Sequence, residues 1–412
     1  MTETQNNAAP VKAVLFGLDL GEYDMEKSME ELAALAEAAG MQAVAEVVQK
    51  RAVPEAATYL GEGRLAEGKL LCQNLEAQCA IFDAELSGSQ IRNLEEFLQV
   101  EVLDRTMLIL EIFARRAVTS EGKLQTELAL LRYRLPRLAG LGQSLSRQGG
   151  GGGGGAGARR GAGESKLEYD RRHVRRRIEA LSEKLAEVSR RREQARRSRQ
   201  KSGVPVIALV GYTNVGKSSL LNRMCGAGVL EADMLFATLD PTARQLTLPS
   251  GLACVAVDTV GFVSRLPHHL VEAFQSTLEE AAYADVLVRV CDASDPESAR
   301  QLAVTDEVLE SLGCGGIPTV TVYNKCDKAP GAVPLMTDSL RTSAATGEGV
   351  DALLARLDAL LASRVRRIRV LLPYDKLGEA SPMRQRGTVL AEEYRPDGVY
   401  LEGIVKAADV HR

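Results

Sequence analysis

Val204-Pro-Val-Ile-Ala-Leu-Val210 runs without a break into Gly211-Tyr212-Thr213-Asn214-Val215-Gly216-Lys217-Ser218, and that junction decides the fold. The first seven residues are a short apolar strand. The next eight match GxxxxGK[ST], and helix-forming residues follow from Ser219 to Met224. Strand, glycine loop and helix in that order form the context in which this motif cradles a phosphate. Gly211 and Gly216 let backbone N–H groups curl around an anion at a helix N-terminus, which already favours negative charge. Lys217 adds a point charge for the β- and γ-oxygens, and Ser218 offers a hydroxyl to Mg²⁺, which prefers oxygen ligands.

A phosphate loop alone does not choose a base. Downstream, the apolar strand Thr319 to Tyr323 ends in Asn324-Lys325-Cys326-Asp327. A carboxylate at Asp327 can accept from guanine N1–H and the 2-amino group, an edge that adenine lacks. Asn324 can tie this loop to the phosphate loop, and the stem of Lys325 can cover the base. Ser343-Ala344-Ala345 stands where a backbone N–H can meet the guanine carbonyl. Between these motifs, the strand Leu252 to Val257 leads into Asp258-Thr259-Val260-Gly261. Asp258 is expected to reach the metal through water, and the Gly261 amide to sense a γ-phosphate. In Phe236-Ala237-Thr238-Leu239-Asp240, Thr238 is the natural second Mg²⁺ ligand, with Thr242 as the competing candidate. The expected catalytic groups are Lys217, Thr238 and Gly261. Phe262 stands where Ras-like enzymes carry a water-orienting glutamine, so slow hydrolysis by the isolated protein is expected. His268 and His269, nearby, read as surface histidines.

Working outward, strand-like and helix-like runs alternate before residue 115: strands at Val11 to Leu20, Ala43 to Gln49, Cys79 to Ala84 and Val100 to Leu103, helices at Met25 to Ala39, Arg64 to Leu75 and Gln90 to Gln99. This predicts a small, mostly parallel α/β sheet. Gly61-Glu-Gly63 reads as a plain turn. Leucines at 124, 128, 131, 135 and 138, and then Leu167, Val174, Ile178, Leu181, Leu185 and Val188, repeat at steps near three and four. Two such stripes predict a long antiparallel helical hairpin, its first arm kinked at Pro136 and its second running from about Ser165 to Arg199, roughly 50 Å at ~1.5 Å per residue. At its tip lie seven consecutive glycines, Gly149 to Gly155, flanked by Arg147, Arg159 and Arg160. Glycines allow close backbone approach and arginines bind phosphate, which gives a contact loop beside the plain-linker reading. Strand-like pieces at Ile368 to Leu372, Gly387 to Leu390 and Val399 to Val405 predict a small C-terminal domain. The expected domains are thus 1–115 (α/β), 116–202 (hairpin, tip loop 147–164), 203–363 (P-loop domain) and 364–412 (α+β).

The formal charge of −4 conceals an asymmetry, because Arg159 to Lys201 carries a net +9 and the remainder −13. An acidic body with one basic arm fits an arm that meets a polyanion. No apolar stretch approaches the ~20 residues needed to span a bilayer. Met1 to Pro10 has neither a basic nor an apolar segment, so a secretory signal is not expected. Seven cysteines without a CxxC pair argue against a disulfide framework and a zinc cluster; Cys72, Cys225 and Cys291 read as small hydrophobes in a reducing cytosol.

Taken together, G-Y-T-N-V-G-K-S, F-A-T-L-D-P-T and D-T-V-G-F resemble the HflX-type GTPases of the Obg-like, translation-associated branch. So do the stretch Asp83 to Arg147, Leu103 to Leu138 in particular, and Gly161-Ala-Gly-Glu-Ser-Lys-Leu-Glu-Tyr-Asp-Arg-Arg172. Family members usually carry Gly-Pro-Gly-Glu where this chain has Gly161-Ala162-Gly163-Glu164, and a shorter glycine tract. The resemblance implies a cytoplasmic, monomeric GTPase that binds GTP and GDP with Mg²⁺, with a peripheral membrane-associated fraction allowed. It also implies binding to the large ribosomal subunit, dissociation of stalled or idle ribosomes under stress, and hydrolysis stimulated by the ribosome. Arg147, Arg159, Arg160, Arg171, Arg172, Arg175 and Arg176 are then the rRNA-contact candidates. The competing class is a regulatory GTP switch that docks a protein or membrane partner through its hairpin.

Overall fold

The computed structural model describes residues 10–137, 158–202, 204–226, 235–236, 242–265, 270, 280–329, 338–362, 365–380, 383–384 and 387–406. The chain forms two compact units, Met1–Ala186 and Glu187–Arg412.

In the first unit, strands β1 (Val11–Asp19), β2 (Met41–Lys50), β3 (Cys79–Phe82) and β4 (Glu101–Asp104) make a sheet ordered β2-β1-β3-β4, every neighbour parallel. Helices α1 (Met25–Ala38), α2 (Glu62–Asn74) and α3 (Gly88–Leu98) supply the crossovers. Their starts are encoded locally. The Asp24 side chain accepts from Lys27 N, and Ser87 and Gln90 form a reciprocal capping box. Gly61 is the N-cap of α2 and its amide is held by Gln49 at 2.8 Å, so the predicted plain turn is a helix start. The core closes on Phe16 and Phe82, stacked at 4.7 Å.

Helix α4 (Arg105–Arg116) was not predicted. Arg105 through Leu110, Ile112 and Phe113 are all buried, and a helix covered on nearly every side has no polar face to betray its period. Helix α5 (Ser120–Arg137) is the first predicted arm; Leu128 of the leucine stripe is buried, but the other buried positions are Gly122, Gln125, Thr126, Ala129 and Tyr133, and Leu138 lies outside the described residues. Leu124, Leu131 and Leu135 are half-buried. Pro136 is the penultimate residue of that helix, so the expected kink falls at the limit of the described residues. Helix α6 (Ala158–Ser202) has 45 residues, about 70 Å at ~1.5 Å per residue. It begins inside the predicted tip loop 147–164, so residues 158–164 are helical. Gly149 to Gly155 and Arg147 lie outside the described residues, as do the side chains of Arg159 and Arg160. Along α6 the stripe is real: Leu181 is buried, and Val174, Ile178, Leu185 and Val188 are half-buried. Arg177 reaches Glu127 of α5 at 2.7 Å.

The second unit holds six strands ordered β10-β9-β8-β5-β7-β6: β5 (Val206–Gly211), β6 (Thr242–Thr247), β7 (Ala253–Asp258), β8 (Val286–Asp292), β9 (Thr319–Asn324) and β10 (Ser339–Arg341). All pair in parallel except β6 on β7. Among its helices are α7 (Lys217–Met224), α8 (Ser298–Ser311) and α9 (Val350–Ala362). The carboxyl ends of β5, β7 and β9 carry the three motifs, at the edge where parallel sheets place ligands. Arg289, inside buried β8, is accommodated by ion pairing to Asp306 of α8 and by Thr321 of β9 at 2.8 Å. Beyond α9, β11 (Val365–Leu372), β12 (Thr388–Arg395) and β13 (Gly398–Lys406) form an antiparallel sheet, β11-β13-β12. The helical part expected of an α+β domain is a 3-10 stretch, Tyr374–Ala380.

Candidate functional site

At the end of β5 the chain turns through Gly211 (φ 149°) and Gly216 (φ 85°), conformations that side chains resist. Both glycines are also crowded. A Cβ at Gly211 would lie 2.2 Å from the Val290 carbonyl oxygen, and one at Gly216 would lie 2.4 Å from Asn324 Nδ2. Asn214 between them adopts φ 59°. Helix α7 starts at Lys217, whose Nζ donates to the carbonyls of Gly211 (3.1 Å) and Tyr212 (2.7 Å). The ammonium is buried, and that burial lowers its pKa to about 8 against the opposing pull of Asp258.

Ser218 donates to Asp258 Oδ2 at 2.5 Å. The other oxygen, Oδ1, is buried without a hydrogen-bond partner. A hydroxyl beside a carboxylate with a spare buried oxygen is a donor set for a hard, oxygen-preferring cation. Thr238, Ala237, Leu239 and Asp240 lie outside the described residues, as do His268 and His269. Phe236 is buried at φ 53°, and Thr242 is the exposed first residue of β6, paired with Asp258.

Past Asp258 the chain docks on the phosphate loop. Thr259 Oγ1 donates to the Leu209 carbonyl at 2.7 Å. Phe262 N donates to Gly211 O (3.1 Å) and Thr213 N to Phe262 O (2.7 Å), a parallel bridge between Tyr212 and Phe262. The Tyr212 hydroxyl lies 2.7 Å from Ser264 Oγ and also accepts from Ser264 N. Gly261 has no room for a side chain: a Cβ there would meet Thr213 Cγ2 at 2.7 Å and Lys217 Nζ at 2.9 Å. Val260 is buried, and Phe262, 1% exposed, is an anchor in the core, turned to packing rather than to water. The Tyr212–Ser264 clasp is invisible to motif reading, because both residues are ordinary at their positions.

The third corner is the Asn324 loop. Asn324 Nδ2 donates to Val215 O at 2.9 Å, the tie that the sequence suggested, and its Oδ1 accepts from Ala344 N at 3.0 Å. Lys325, at φ 61°, reaches Asn214 O (2.6 Å) and Asp292 (2.8 Å). Cys326 is buried and Asp327 is exposed, one of its oxygens accepting from Ser343 Oγ at 2.6 Å. Arg223 at the end of α7 donates to Thr346 O at 2.7 Å, joining the phosphate-loop helix to the Ser343–Ala345 turn. Ser343 and Arg223 went unassigned in these roles because their partners are more than fifteen residues away in sequence.

The sealed lysine, the metal-suited pair and the exposed carboxylate at the carboxyl edge of one parallel sheet define the class, a P-loop GTPase that hydrolyses GTP. The matching family profiles agree along the chain: GTP-binding GTPase N-terminal over residues 26–114, GTP-binding GTPase Middle Region over 116–199, and 50S ribosome-binding GTPase over 206–325. A GTPase HflX of Lacrimispora saccharolytica is 47% identical over 96% of this chain and 93% of its own length. That of Escherichia coli is 41% identical over 85% and 82%. The chain belongs to the HflX GTPase family. Among solved structures it is similar to a GTP-binding protein from Sulfolobus solfataricus in complex with GDP, at 26% identity over 85% of this chain and 98% of that one, with a TM-score of 0.46.

All seven cysteines are free; Cys72 and Cys291 are buried as expected and Cys225 is half-buried. Burial pushes the Cys79, Cys254 and Cys291 thiols up to about 12. Among the described residues no helix is long and apolar enough to cross a membrane, and no cluster of His, Cys, Asp and Glu gathers for a metal.

Proposed function

We propose that this GTPase acts on the large ribosomal subunit in the cytoplasm, separating stalled or idle ribosomes with its basic helical arm while its nucleotide site controls the engagement. Backbone amides from Asn214 to Ser218 cradle the phosphates, with Lys217 on the β- and γ-oxygens. Asp327 reads the guanine edge. Since the Ala344 amide is committed to Asn324, the next amide, Ala345, is the donor for the guanine carbonyl. Ser218, with Asp258 through water, fits Mg²⁺, and Thr238 completes that set. The ion, when bound, neutralises charge developing on the phosphates.

The observation that carries the ribosomal reading is the outward face of α6. Arg172, Arg175, Arg176, Arg190 and Arg191 are exposed away from the apolar stripe, and Arg177 is exposed beside it. Arg175, Arg177 and Arg191 have carboxylate neighbours, yet Arg159 to Lys201 still carries a net +9. Such a face suits rRNA, which proteins hold by phosphate contacts and shape. The matching profile's own description, a 50S ribosome-binding GTPase, points the same way.

Co-sedimentation with purified large subunits tests it. Binding is expected with a non-hydrolysable GTP analogue, not with GDP, and is expected to fall steeply between about 50 and 200 mM salt. Salt-insensitive binding, or none, returns the arm to the competing role of docking a protein or membrane.

A further inference from the structure

Three groups at the phosphate loop share an unusual state. Lys217 is buried with carbonyls as its hydrogen-bond acceptors, its pKa lowered. Asp258 Oδ1 is buried without a partner. Thr213 Oγ1 is the third: it too is buried and without a hydrogen-bond partner, on a residue only 5% exposed. A threonine at a buried place with no partner costs stability that valine would not, so the hydroxyl calls for a ligand. The first two groups belong, by the reading above, to γ-phosphate and metal. Thr213 touches the same point, since its Cγ2 and Cα, together with Lys217 Nζ, are what crowd Gly261. The backbone of Thr213 is held in place, because its amide donates to Phe262 O and Phe262 is buried in the core.

The reaction lacks one group. Phe262 replaces the glutamine that orients water elsewhere, and its buried ring can neither donate nor accept. We propose that Thr213 is a catalytic residue for hydrolysis: its hydroxyl donates to a γ-phosphate oxygen and accepts from the attacking water. A hydroxyl has both capacities at once. The water oxygen bonds to the γ-phosphorus as the bond from phosphorus to the β–γ bridging oxygen breaks. That electron pair leaves with the β-phosphate of GDP, and the protons of the water go to the inorganic phosphate formed and to solvent. Thr213 gives up no proton in the step; it orients water and shares transition-state charge.

The proposal rests on the phosphate-loop reading, and the test separates the two. Single-turnover hydrolysis of GTP is measured, with and without large subunits, for the full chain and for Thr213→Val, Thr213→Ala and Thr213→Ser; the affinity for a fluorescent GDP is measured in parallel. Thr213→Val and Thr213→Ala are expected to slow hydrolysis at least about tenfold with GDP affinity within about twofold, and Thr213→Ser to recover most of the rate. Wild-type rates in Thr213→Val, a Thr213→Ser as slow as the valine form, or an equal loss of GDP affinity overturns the assignment. Lys217→Ala addresses the underlying reading: undiminished GTP binding there refutes the phosphate loop whatever Thr213 does.

Discussion

The chain contains two parallel sheets whose carboxyl edges are both lined with buried charge, and the two edges are finished in opposite ways. In the first unit, Arg105 places Nη1 2.8 Å from Asp83 and pairs through Nη2 with Glu31, while Ser28 donates to Asp83 at 2.6 Å. Next to it Asp104 accepts from Met107 N, Leu86 N and the Tyr133 hydroxyl, with Arg137 at 3.5 Å. The carboxylates of Glu31, Asp83 and Asp104 have each met a cation within the fold, although Thr106 Oγ1 and Arg137 Nε are buried there without a hydrogen-bond partner. In the second unit Asp258 Oδ1 and Thr213 Oγ1 are buried without a hydrogen-bond partner, and Lys217, buried beside them, donates to backbone carbonyls rather than to a carboxylate. The contrast separates an edge built for mounting from one built for a ligand. Asp104, which starts α4 and receives Tyr133 and Arg137 of α5, fixes the C-terminal end of α5 to the α/β body.

The largest expected effect breaks the self-satisfied edge. Arg105→Ala leaves Asp83, fully buried, without its cation, which costs on the order of 3–5 kcal/mol. Urea unfolding of the full chain is expected to show an early transition for the first unit, while GDP affinity is unchanged. A variant as stable as the wild type would mean that this edge is not held by its charges.

These edges were legible in the sequence to different degrees. The nucleotide site was readable because its chemistry demands residue types at short spacing: glycines at positive φ, Lys217 opening a helix, Asn324 and Asp327 three apart. The four strands and three helices of the first sheet also followed from alternating apolar runs. Arg105, Asp83 and Tyr133 were not readable as a cluster, because burial of charge leaves no periodic trace and the partners lie 22 and 29 residues apart in two different pairings. Helix α4 escaped because it is covered on nearly every side, and in α5, which packs on α4, polar and small residues are buried beside Leu128 where the other leucines are half-buried. The Tyr212–Ser264 clasp leaves no trace in the sequence, since the docked backbone of Phe262 is what brings the two together.

A smaller effect sharpens the ligand-ready side. Asp327 is exposed and half-occupied by Ser343, so its second oxygen and some of the first are left for the base. Asp327→Asn exchanges acceptors for a donor and is expected to weaken GTP binding about 100-fold while improving that of the xanthine analogue. Isothermal titration with both nucleotides decides it; unchanged GTP affinity refutes base recognition by this carboxylate.

The smallest effect is a pH dependence, and its sign follows from Lys217. In the ligand-free fold its pKa is about 8, below the ordinary 10.5, because burial penalises the ammonium. Below about pH 8 the group is charged and ready for phosphate. Above it the free protein has shed the proton, and nucleotide, which restores the charge, must take one up as it binds. GDP affinity from this group is therefore flat at low pH and falls as pH rises through about 8, by roughly tenfold between about pH 7 and about pH 9. The same shift acts oppositely on the free protein. Between about 8 and 10.5 the unfolded chain holds more protons than the folded one, so this group's penalty on stability fades as pH rises, while the stabilisation conferred by GDP shrinks. Lys217→Arg keeps a permanent charge, and its GDP affinity, though weaker, is expected to lose that slope. Equal slopes in the two proteins would assign the dependence to another group and leave the sealed lysine charged throughout, which would erase one of the three differences between the edges.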